Sequence, residues 1–124
     1  MTGRALLNEA LYLLGYTKPT GEADGSHTGA LMRRGLTAVN QIVADLYPIE
    51  HPRTPLPAVA DMSRPLPLSD QACRDAAVYG VAMLLAGAEG DALNEAQQAA
   101  VYNQKRTRLP RPPERRADVL PKAR

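Results

Sequence analysis

Proline placement limits the folds open to this chain more than any other feature of its sequence. Ten of the eleven prolines fall in two runs. Pro48, Pro52, Pro55, Pro57, Pro65 and Pro67 crowd one stretch, and Pro110, Pro112, Pro113 and Pro121 another. Proline has no backbone donor, breaks helix interiors and is confined to the edges of sheets. The chain is therefore divided into helix-permissive blocks joined by an irregular link, with a segment at the end that cannot enter a core.

Within the permissive blocks, apolar residues recur at helical spacing. Leu7, Leu11 and Leu14, with Leu6, Ala10 and Leu13 beside them, predict a helix over 4–14, stopped by Gly15. Met32, Leu36, Val39, Val43 and Leu46, widened by Ile42, predict a helix over 26–47, with Ser26 or Thr28 as cap and Pro48 as terminator. Residues 48–68 read as irregular, with short extended pieces near 56–60 and 64–68. Ser69 and Asp70 are suited to start a third helix, 69–88, which Gly90 stops. Its small residues, above all Ala76 and Gly80 four apart with Leu84 following, predict close helix packing and a buried rod. Asp91 caps a fourth helix, 91–108, whose inward candidates are Leu93, Ala96, Ala100 and Tyr102, with Gln97 and Gln98 outward. The two-residue turn between the last two helices predicts an antiparallel hairpin. The expected fold is all-α: a four-helix, mostly antiparallel bundle over 1–109, with a Pro-rich extended segment between helices two and three, and an extended basic C-terminal arm over 110–124.

A chain of 124 residues suffices for one domain with one modest core. All its aromatics are tyrosines, so that core must be aliphatic and alanine-rich. Such a core buries less area per residue, at roughly 25 cal/mol per Å², which favours a protein stabilised by neighbours. The single cysteine, Cys73, rules out an internal disulfide. No apolar run approaches the ~18 residues a membrane span needs. The leucines near Met1 are interrupted by Asn8 and Glu9, a poor signal-peptide pattern, so the expected site of synthesis is cytoplasmic.

Catalytic and ligand-binding patterns are not evident. His27 and His51 stand in loop-like stretches with no cysteine or carboxylate at ligand spacing. Cys73 lies near a helix start but reads as a packed structural thiol. The acids of Gly21–Gly25 lack the calcium-loop series, and Gly87–Asp91 reads as a helix stop signal, not a phosphate loop. The reading is a non-enzyme with no metal, cofactor or catalytic residue.

Charge is divided unevenly. Residues 105–124 carry eight basic and two acidic residues, net +6, whereas residues 1–104 carry seven basic and eleven acidic, net −4. The cations Arg106, Arg108, Arg111, Arg115, Arg116, Lys122 and Arg124 are candidate contacts to an acidic or grooved protein partner. Nucleic-acid phosphates are one alternative, and a solvated end with no role is the other.

One stretch combines an Ala-rich helix, Ala76-Ala77-Val78-Tyr79-Gly80-Val81-Ala82-Met83-Leu84-Leu85-Ala86, with a Gly90-Asp91 turn and then Tyr102-Asn103-Gln104-Lys105-Arg106. Preceded by a leucine helix, a long helix and the Pro-rich link to Leu66-Pro67-Leu68-Ser69, this arrangement resembles the small head–tail connector proteins (adaptor or head-completion proteins) of tailed bacteriophages. The specific pattern covers about 40 residues and the looser likeness about 110. The resemblance implies a virion neck protein that forms a ring, typically of twelve copies. Such a ring joins the portal protein to a tail or stopper protein and extends the DNA channel, with non-specific contact to packaged DNA and no membrane. The Pro/Arg arm is longer and more basic than the pattern requires. Two other readings stand beside this one: a small DNA-binding or DNA-packaging accessory protein, and a cytoplasmic helical interaction module.

Overall fold

The structure, a computed structural model, describes residues 1–16 and 28–112, with the backbone alone for 28–32. The described residues form four helices and no strand, so the fold is all-α. Helix α1 spans Gly3–Leu14. Helix α2 spans Thr28–Glu50. Helix α3 is a continuous rod over residues 70–88, made of Asp70–Ala72, a π-helical turn Cys73–Ala77, and Val78–Ala88. Helix α4 spans Ala92–Thr107.

The helix ends follow local chemistry. Thr2 Oγ1 accepts from Ala5 N at 3.0 Å and caps α1. Gly15 ends α1 in the left-handed region at φ 77°, a conformation side chains resist. Ser69 Oγ accepts from Ala72 N at 3.0 Å, and Asp91 Oδ1 accepts from Asn94 N at 3.3 Å, as their sequence positions suggest. The caps expected at Ser26 or Thr28 lie outside the described residues or side chains, as does Met32.

Two expectations about element shape need correction. Helix α2 does not stop at Pro48 but continues to Glu50. Pro48 and Ala44 both face solvent, so the carbonyl that Pro48 leaves without a donor is open to water. Buried Ile49 and the bonds from Ser69 to Glu50 hold the last turn in place. The third helix is not uniformly α. Its π turn inserts one extra residue where every inward side chain, Ala72, Cys73, Ala76 and Ala77, is small.

Helix α3 packs against all three other helices and is the centre of the core. Leu6, Leu7 and Leu11 of α1, Val39, Val43 and Leu46 of α2, and Val81 and Leu85 of α3 are sealed from solvent. Two glycines let helices meet. A side chain on Gly35 would collide with the Leu7 methyls, and one on Gly80 would lie 2.7 Å from both Ile42 Cδ1 and Tyr102 Cε1. Ala76 and Gly80 are buried, whereas Leu84 is only partly so and lies beside Arg33, Arg34 and Thr37 of α2.

Helix α4 is rotated from its expected phase. Leu93 is 71% exposed, and Ala96 and Ala100 also face solvent. The inward positions are Gln98 and Tyr102, with Asn94, Val101 and Lys105 partly covered. Tyr102 fills the notch over Gly80, and that contact fixes the rotation of the helix.

The link from residue 51 to 69 carries turns and bends, and its expected extended pieces reduce to one isolated bridge between Thr2 and Pro65. Side chains and backbone hold it instead. The Asn40 amide donates to Val59 O at 2.9 Å and accepts from Val59 N at 3.2 Å, imitating strand pairing. Arg4 N donates to Met62 O, and Leu66 N to Met1 O, each at 2.8 Å. No helix among the described residues is long and apolar enough to cross a membrane.

Candidate partner-binding surface at the root of the basic arm

The last turn of α4 is tied to α2 before the arm begins. Arg106 Nε donates to Asp45 Oδ2 at 2.7 Å, Arg106 Nη2 donates to Asp45 Oδ1 at 3.1 Å, and the Tyr102 hydroxyl donates to the same carboxylate. Burial works to raise the Asp45 carboxyl, but the hydrogen bonds from Arg106 and Tyr102 outweigh it and hold Asp45 below the usual carboxylate range. The Asp45 hydrogen bonds in turn raise Arg106, while burial and then the Asp45 bond raise the Tyr102 hydroxyl. Arg106, expected among the arm's partner contacts, is therefore already paired within the chain, with its side chain 34% exposed.

Beyond Thr107 the chain makes one more core contact. Leu109 is buried at 6% exposure. Pro110, Arg111 and Pro112 then run exposed along one side of an open groove of about 740 Å³. Its other side is formed by Tyr47, Glu50 and His51 at the end of α2 and by Leu66–Ser69 of the link. Tyr47, Leu66 and Leu68 are mostly buried and give the groove an apolar floor, while Glu50 brings a carboxylate to it. The Tyr47 and His51 rings lie 4.6 Å apart, centre to centre.

The other expected contacts divide plainly. Arg108 and Arg111 are exposed, and Arg111 lines the groove. Arg115, Arg116, Lys122 and Arg124 lie outside the described residues, as does His27. Ala76, Gly80 and Leu84 sit on α3, the first two buried and Leu84 partly so. Cys73 is fully covered, and burial raises its thiol pKa. No group of three or more His, Cys, Asp or Glu side chains suited to a metal occurs among the described residues.

Some surface features were not anticipated. Tyr12 and Leu93, each 71% exposed, place apolar area on α1 and α4. At the opposite end of α4, the Tyr16 hydroxyl donates to Asp91 Oδ2 at 3.0 Å. Burial and that carboxylate push the Tyr16 hydroxyl up to about 12. Asp91 therefore joins the end of α1 to the start of α4, a role its cap position alone does not reveal. The chain matches no protein-family model, no curated protein and no solved structure.

Proposed function

We propose that this chain is a structural subunit of the head–tail connector ring of a tailed phage, built as a mostly antiparallel four-helix bundle with a basic arm. The observation that carries the reading is the placement of the residues behind the resemblance. Gly80 receives the Tyr102 ring, Tyr102 bonds Asp45 beside Arg106, and Asp91 caps α4 while holding Tyr16. Gly80, Asp91, Tyr102 and Arg106 of that pattern thus all make contacts that join α4 to the rest of the body, and this supports the reading.

In this reading the protein acts through geometry and not through chemistry. The α3-centred body supplies a rigid block, and copies set side by side around a symmetric channel extend the path of the DNA. The arm, whose prolines favour an extended backbone, leaves the body at Leu109 and reaches a neighbour in the assembly. The portal protein and a tail or stopper protein are the partners on the two faces.

Gold-labelled antibody against the chain, imaged on purified virions, tests this directly. The expected result is label at the neck, between head and tail. Label elsewhere on the particle, or none on particles and all of it in the infected-cell extract, overturns the proposal.

A further inference from the structure

We infer that the groove at the root of the arm is the seat for the arm of a neighbouring copy, with Val119, Leu120 and Pro121 on its apolar floor. The inference deepens the ring reading, because it names the contact that joins one copy to the next.

The groove has the attributes of a peptide seat. It is open and bordered by three separate segments, the end of α2, the link and Pro110–Pro112. Its floor is Tyr47, Leu66 and Leu68, and the adjacent Tyr47 and His51 rings make an aromatic wall. Aromatic-walled grooves of this kind take extended, proline-containing segments, because such segments lose little chain entropy on docking. Residues 113–124 offer one such segment: Val119-Leu120-Pro121 are the only three successive apolar or proline residues there.

Charge points to the same occupant. Arg115 and Arg116 precede the apolar segment, and Lys122 and Arg124 follow it. Glu50, which accepts from Ser69, brings a carboxylate to the groove opposite Arg111, and Asp70 at its border is paired with the Met1 ammonium. The body is net −4 and residues 105–124 are net +6, so the chain is complementary to its own arm.

On this chain Pro110, Arg111 and Pro112 already form one side of the groove. Over the seven steps from Pro112 to Val119, an extended course at roughly 3.1 Å per residue would span about 20 Å, enough to carry Val119-Leu120-Pro121 to the groove of an adjacent copy. Each copy then gives an arm on one side and receives one on the other, a head-to-tail contact that closes into a ring.

Disulfide trapping on the full-length chain tests the seat. One variant carries His51→Cys at the groove and the other Leu120→Cys in the arm. Native Cys73 is buried and serves as a silent background. Mixing the two variants under mild oxidation at low salt is expected to give a crosslinked heterodimer with unchanged helical circular dichroism. The yield should fall as salt screens the arm's charges, and should fall again when Val119→Asp is added to the arm variant. Absence of heterodimer overturns the inference. So does a chain carrying both cysteines that closes on itself as a monomer, since its own arm then fills the groove. The assay contains no portal and no virion. A crosslink in a protein absent from the neck would remove the ring reading alone, and a neck protein without the crosslink would remove this inference alone.

Discussion

Arg106 and Asp45, 61 residues apart in sequence, meet in a two-point pair that fastens the end of α4 to α2. Their side chains are 34% and 41% exposed, so solvent weakens the pair, while the hydroxyl of buried Tyr102 depends on the same carboxylate. Asp45→Asn is expected to lower stability by about 1 kcal/mol at neutral pH. The folded state holds the Asp45 carboxyl below its ordinary value. Its contribution is therefore present above the unfolded value, about 3.9, and is lost as pH falls through the lower folded value. Urea midpoints measured from pH 7 to pH 2 should converge for the wild type and Asp45→Asn at the acid end. A constant gap across that range would show that the pair is not the source.

Gly80→Ala sets two effects against each other. Alanine in a helix interior ordinarily gains about 0.5–1 kcal/mol over glycine. Here the new methyl meets Ile42 Cδ1 and the Tyr102 ring edge at 2.7 Å. The ring cannot retreat without breaking its bond to Asp45, so overpacking of about 1–3 kcal/mol wins. Thermal unfolding should show a clear drop in Tm. A rise in Tm would mean that α4 does not lie this close to α3.

Gln98 is a polar residue in an apolar seam. It is 9% exposed, and its Oε1 has no hydrogen-bond partner among the described residues. Gln98→Met keeps the length of the side chain and removes the buried acceptor, so it should stabilise the body by about 1 kcal/mol. Chemical denaturation is the check. A loss of stability would show that the amide is satisfied in solution, by water for example.

Cys73 is fully covered and its thiol is pushed up by burial. The thiolate that reacts with alkylating agents is therefore scarce in the folded chain. Iodoacetamide labelling at pH 8, followed by intact mass, should be slow in buffer and fast in denaturant. Equal rates in both would place the π turn at the surface.

The sequence was informative where side chains differ sharply in size or polarity. The stripe Val39, Ile42, Val43 and Leu46 could face only inward, and Ser69 and Asp91 are strong caps, so these elements were legible. The phase of α4 was not. Its one large aliphatic, Leu93, suggested an inward face, and Ala96 and Ala100 are too small to argue against it. The rotation is decided by Tyr102 seating over Gly80, a contact across 22 positions that periodicity within one helix cannot express. Likewise, the arm's charge marked its cations as one set, but the pairing of Arg106 with Asp45 separates that residue from the others. The groove joins the end of α2, the link and Pro110–Pro112, three stretches distant in sequence, so no local pattern announced it.

The clasp between the first residues and the link has a consequence for the order in which the protein assembles itself. Arg4 reaches Met62, and Leu66 reaches Met1, so these bonds close loops of about sixty residues. Chain entropy must be lost before such bonds return anything, and the loss grows with loop length. The α3–α4 pair needs no such closure, because its partners are joined by a short turn at Glu89–Asp91. The hairpin is therefore the natural early structure and α1 the late addition. During synthesis, α1 emerges ahead of the link and waits for residue 66 before its start can be locked in place.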